Sequence, residues 1–203
     1  MQAVFRFHIL IGHKLMYKKK NLYLTGHLLI AMPDMIDPRF TKSVIYICTH
    51  GPDGAMGLVI NKPMGDITFH DLLKQLEIDI PKKDNFEVLN GGPVDSGRGF
   101  MLHSGDYAQD ETLFISEQFA LTATIDILKA VATGNGPKEQ LLTLGYAGWG
   151  PGQLDLEMLN NGWLSVNADN KLVFEAPHSE KWADAIDKIG IDPTILSDQA
   201  GHA

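Results

Sequence analysis

Cys48 and His50 stand two residues apart in Ser43–His50, a run rich in β-branched and aromatic residues that reads as a strand. A period of two puts both side chains on one face, where a thiol with its base or a shared metal is conceivable. His103 is the third candidate for that catalytic group. The plainer reading is favoured: Cys48 as a small core residue and His50 as a strand-end hydrogen bonder. Buried cysteines are common and the donor set falls short of a closed metal site, so no metal is expected.

Gly91-Gly92-Pro93 could present backbone N–H groups to an anion, with Arg98 downstream to grip phosphate or carboxylate in two places. It lacks the spacing of a dinucleotide or phosphate-binding loop and precedes no clear helix, so a plain turn is favoured, with Arg98 a solvated loop charge. Gly148-Trp149-Gly150-Pro151-Gly152-Gln153 is the most unusual stretch, because a large aromatic sits among residues that let backbone approach closely. On a helix following Pro151, Gln153 and Glu157 share a face and place an amide and a carboxylate beside the indole. Together these could line a ligand-binding or partner-binding cleft with Trp149 for stacking; the plainer reading makes Trp149 core and Glu157 a surface charge. No Gly-x-Ser-x-Gly elbow, His-Glu-x-x-His, Walker loop or Cys-x-x-Cys occurs.

The elements that must position these residues follow from apolar period and turn chemistry. Strands are expected over 22–32, 43–50 and 55–61, the last two joined as a hairpin by Gly51-Pro52-Asp53-Gly54. A helix is expected over 68–77, opened by a capping pair of Thr68 and Asp71. Short strands are expected over 86–90, 99–104 and 112–116, a helix over 121–133 and a strand over 140–147. After the helix near Pro151, the spacing predicts strands over 163–167 and 171–174 and a helix over 179–189. Strands come in adjacent pairs rather than alternating with helices, which points to α+β with antiparallel pairing.

With 203 residues the chain suits one domain. Its net charge of −8 is uneven: residues 1–20 hold Arg6, Lys14, Lys18, Lys19 and Lys20 and no acid, so the remaining 183 residues stand at −13. A body that acidic disfavours direct DNA binding, which needs clustered cations. A single cysteine excludes an internal disulfide and suits a reducing, cytoplasmic home; no apolar stretch approaches a membrane span. Met16 opens a plausible shorter protein, so residues 1–20 are expected to be an extension, in part disordered or a start-site artefact, ahead of one domain over 21–203.

Several local patterns taken in order resemble the AlgH/YqgE family (UPF0301). They are Gly26-His27-Leu28-Leu29-Ile30-Ala31-Met32-Pro33, Ser43 to Cys48 leading to His50, and Gly54-Ala55-Met56-Gly57-Leu58-Val59-Ile60-Asn61. Asn90-Gly91-Gly92-Pro93-Val94 with Leu102-His103 follows, then Gly145-Tyr146-Ala147-Gly148-Trp149 with Gln153-Leu154 and Glu157, and Ala200-Gly201-His202-Ala203 at the end. The resemblance implies an α+β fold whose largely antiparallel sheet curls into a partial barrel with flanking helices. Family members are often labelled transcriptional regulators without settled biochemistry. The expectation is a regulatory or binding protein without a cofactor, more a binder than an enzyme, acting through a protein partner or small ligand. The alternative is an enzyme using Cys48, His50 and His103. The oligomeric state is not legible.

Overall fold

The computed structural model describes residues 23–80 and 85–190. The expected extension, the first residue of the first expected strand and the Ala200–Ala203 motif lie outside them. The chain runs β1 (His27–Ala31), β2 (Val44–Gly51), β3 (Gly54–Val59), β4 (Pro63–Thr68), α1 (Phe69–Gln75), β5 (Glu87–Asn90), β6 (Val94–Ser104), β7 (Leu113–Phe114) and β8 (Phe119–Thr122). It continues with α2 (Ile125–Ala132), β9 (Gln140–Trp149), α3 (Gln153–Leu159), β10 (Trp163–Asn167), a π-helical turn (Lys171–Glu175) and α4 (Lys181–Ile189). The main path of the sheet is β10-β1-β2-β3-β9-β6-β8-β7, with β5 attached to β9 and β4 to β5. Its one parallel pairing among the described strands is β5 with β9. The result is the expected α+β architecture, a largely antiparallel sheet curled into a half-barrel with helices against it.

Strand β2 shows why the sheet is buried on both sides. Val44, Tyr46 and Cys48 pack in one cluster with Leu28, Leu58 and the α4 residues Ala185 and Ile186. Ile45 and Ile47 pack on the opposite side with Leu29, Trp149, Trp163 and the α3 residue Leu154. A third cluster joins Phe69 and Leu73 of α1 to Ile127, Leu128 and Val131 of α2 over β5, β6 and β9. Helix α1 starts as its sequence predicts: Thr68 Oγ1 accepts from Asp71 N, and the Asp71 carboxylate accepts from Thr68 N at 2.9 Å.

Two expected elements differ, and one strand was not expected. Residues 121–133 are not one helix, because Phe119–Thr122 is extended and pairs with β6 on one side and β7 on the other, and the helical period begins only at Ile125. Residues 171–174 form a π-helical turn rather than a strand; Asp169 Oδ1 accepts from Leu172 N at 2.8 Å and bends the chain so that Leu172 and Val173 roof the core. Strand β4 was hidden by Pro63 and Gly65, residues tolerated there because β4 is an edge that pairs irregularly with β5 alone.

Lys181 is fully buried at the start of α4, where its ammonium donates to the Val173 carbonyl of the π-helical turn. Burial disfavours the charged form and pushes its pKa down to about 8. The unfolded chain, with a lysine pKa of about 10.4, therefore binds more protons than the folded one between those values, so stability rises with pH there. Burial pushes the Cys48 thiol up, and above its unfolded value that group acts in the opposite sense. Lys181 alone contributes a gain of about 0.7 kcal/mol from pH 7.5 to 8.5, which the thiol offsets in part, so we expect denaturant melts to show a net gain of about 0.3–0.5 kcal/mol. Lys181→Met should abolish the gain and be at least as stable at pH 7. The same rise in the variant would assign it to another group.

Candidate functional site

The end of β9 and the start of α3 build the centre of the site. Trp149 closes β9, and Gly152, with φ of +69°, takes the left-handed conformation that turns the chain into α3. Gly150 N donates to Gln153 Oε1 at 3.0 Å, and Gln153 Nε2 donates to Glu157 Oε1 at 2.9 Å, the i,i+4 contact its spacing predicts. Glu157 Oε2 accepts two indole N–H groups, from Trp149 and from Trp163 at the head of β10, each at 2.9 Å. The two indoles meet edge to face at 6.1 Å, and Phe40 meets Trp163 likewise at 5.7 Å. Trp149 is 7% exposed and Trp163 4%, so their donors are satisfied inside the protein and the rings form a wall rather than a free stacking platform.

That wall borders a cleft of about 790 Å³. It is lined by residues 34–37, with Ile36 97% exposed, by Arg39 and Phe40, by Pro93 and Val94, and by Gly148, Trp149, Gln153 and Glu157. Arg39 donates to the Asp37 carboxylate through Nε and Nη2, which holds that carboxyl below the usual carboxylate range. A smaller recess of about 360 Å³ shares Arg39, Phe40 and Pro93 with the cleft and adds Lys62, Asn90 and Ser96.

Of the glycine turn, Pro93 lines both the cleft and the recess, Gly92 only the recess and Gly91 neither, and the turn is not an anion cradle. Gly91 N donates to Leu144 O at 2.8 Å and Gly92 N to Asn90 Oδ1 at 3.2 Å, so both donors are already taken. Arg98 lies elsewhere, with its guanidinium 5.2 Å from the centre of the Phe100 ring, in a shallow recess with Glu111 and Tyr146. It does not assist the glycine turn.

Cys48, His50 and His103 are not brought together. A bulge between Ile47 and Thr49 breaks the alternation of β2, which corrects the expectation that Cys48 and His50 share a face. Cys48 packs with Tyr46 and Leu58, whereas His50 reaches the α3 side: its Nδ1 accepts from Leu24 N at 3.0 Å and its Nε2 lies 3.7 Å from Asp155. His103 sits on β6, three strand positions from β2, or about 14 Å. It is fully buried, with ring nitrogens 2.9 Å from Ser104 O and Thr122 Oγ1, and burial lowers its pKa. Among the described residues no three His, Cys, Asp or Glu side chains group as a metal site would require.

Reading the sequence alone missed Trp163, Phe40, Arg39 and Lys62. Trp163 was placed on a strand but not linked to Glu157, although Asn160-Asn161-Gly162 between them signals a turn tight enough to bring them together.

A family model described as AlgH-like matches residues 28–194. A UPF0301 protein of Rhodospirillum rubrum is 51% identical over 187 residues, covering 92% of this chain and 97% of its own length. One from Jannaschia is 54% identical over 185 residues, covering 89% and 95%. Among solved structures, the solution structure of the AlgH protein from Pseudomonas aeruginosa aligns with a TM-score of 0.75 at 40% identity, covering 93% of this chain and all of that one. A crystal structure from Corynebacterium diphtheriae aligns at 0.69 with 20% identity, over 86% of this chain and 91% of that one, a likeness of fold.

Proposed function

The chain belongs to the AlgH-like family, and from that footing we propose that it is a cytoplasmic binding protein without catalytic activity, exerting a regulatory effect through a small ligand or protein partner held in the Trp149–Glu157 cleft. One observation carries this reading: two segments more than fifty residues apart, around Pro93 and around Trp149, line a single cleft whose polar side chains are held in place by the Gln153–Glu157–indole network. Preorganised side chains lower the entropy cost of binding. The separation of Cys48, His50 and His103 gives the enzyme alternative no constellation to act through. The acidic body favours a regulatory effect relayed by a partner over direct contact with DNA.

The test is genetic complementation. In a strain lacking the gene, a rim substitution that fills the cleft without touching the core, Val94→Arg, is expected to leave the deletion's transcript profile unrestored. Cys48→Ala should restore it, with folding of both variants confirmed by thermal melts. Full rescue by Val94→Arg, or turnover of a substrate lost in Cys48→Ala, would overturn the reading.

A further inference from the structure

The small recess beside the cleft is lined by donors. Lys62 Nζ is aimed by one hydrogen bond, to Arg39 O at 2.8 Å, which leaves two of its protons free of protein acceptors among the described residues. Arg39 is clamped by Asp37 through Nε and Nη2, so Nη1 is uncommitted. Asn90 accepts from Gly92 N through Oδ1, which fixes the amide so that Nδ2 is the free end. The Ser96 hydroxyl completes the set, and Asn90 N donating to Lys62 O at 2.8 Å ties the Asn90 and Lys62 segments together. Against Lys62 and Arg39 the recess lining supplies no acid of its own, and the Asp37 carboxylate is engaged by Arg39. This sits on a body of net charge −13, where two cations converging on a concave surface are out of character. Partial burial also lowers the pKa of Lys62, a strain that an incoming anion relieves.

Resting on the cleft being the binding site, we infer that its ligand is a small molecule with a planar apolar body and one anionic group, carboxylate or phosphate. The anion is held by Lys62, Arg39, Asn90 and Ser96, and the body lies against Phe40 and Pro93, the residues that the recess and the larger cleft share. This places anion recognition on side chains of three separate segments, and not on the glycine backbone or on Arg98.

The experiment is an NMR titration of the full-length, ¹⁵N-labelled chain with benzoate, phenyl phosphate and the neutral benzamide. Saturable shifts are expected for residues 90–96, for Arg39 and for the Trp163 indole N–H with one or both anions, and at least about tenfold weaker ones with benzamide. The tighter of the two anions names the class. Lys62→Gln, a partly exposed position, should weaken the anions about tenfold and leave benzamide unchanged. If benzamide binds as well as benzoate and Lys62→Gln alters neither, the anion site is wrong while the cleft reading stands. If no probe produces saturable shifts, the inference also fails, and the cleft reading is then judged by complementation alone.

Discussion

Gly92→Ala is expected to destabilise the protein by about 3–5 kcal/mol, a large share of the roughly 5–15 kcal/mol typical of a folded domain. Gly92 has φ of +145°, where an L side chain is strained, and a Cβ there would lie 2.2 Å from the Tyr146 carbonyl carbon and 2.4 Å from Ala147 N. Both obstacles are backbone atoms of β9, which is held by strands on either side and has nowhere to move. The strain and the overlap each cost on the order of 1–3 kcal/mol, and they add at one residue. Gly97 is the control: nothing stands within 4 Å of its would-be Cβ, so Gly97→Ala should stay within about 0.5 kcal/mol of the parent. Urea melts of the three proteins decide the matter. A Gly92→Ala protein within about 1 kcal/mol of the parent would show that the turn between β5 and β6 does not approach β9 as closely as described.

Glu157→Ala should cost about 2–5 kcal/mol, because each buried donor left without an acceptor forfeits about 1–3 kcal/mol. Removing this one carboxylate orphans the indole N–H groups of Trp149 and Trp163 together and frees the Gln153 amide. Glu157→Gln keeps one oxygen for the two indoles but turns an amide NH₂ toward Gln153 Nε2, so about 1–2 kcal/mol is expected. The indole ¹H–¹⁵N resonances supply a second readout: those of Trp149 and Trp163 should move in both variants while that of Trp182, which donates to Ala31 O, stays in place. Wild-type stability in Glu157→Ala, or unchanged indole resonances, would mean that water replaces the carboxylate without loss and that the network is not what shapes the cleft.

Local signals in the sequence were readable where the governing interactions were local. Thr68 with Asp71 announced the start of α1, Pro52-Asp53 between glycines announced the β2–β3 turn, and the four-residue step from Gln153 to Glu157 announced a shared helical face. The cleft was legible in part, since Pro93, Trp149, Gln153 and Glu157 were all singled out. What escaped depended on registry between distant strands. The bulge at Cys48 leaves no mark in composition, yet it reverses which face His50 occupies. Phe119–Thr122 is as apolar as a helix start, and only the availability of β6 and β7 as partners makes it a strand. Lys62 drew no attention because the residues that enclose it, Arg39 and Asn90, arrive from segments more than twenty residues away on either side.

Strand β9 is the keystone of the sheet, paired with β3, β5 and β6 at once. During synthesis, β1, β2 and β3 can zip together early, and so can β6, β7 and β8, but the two groups share no ladder until residues 140–149 have left the ribosome. Strand β10 must then return to β1 across more than 130 residues of chain, a closure whose entropy is recovered only at the end. Such late, non-local pairing makes for slow folding and leaves the edges of β3 and β6 open to foreign strands until it is complete. A translational stall or truncation before residue 140 would release two half-sheets with exposed seams, so the quality of this protein in the cell depends on one ten-residue strand arriving in time.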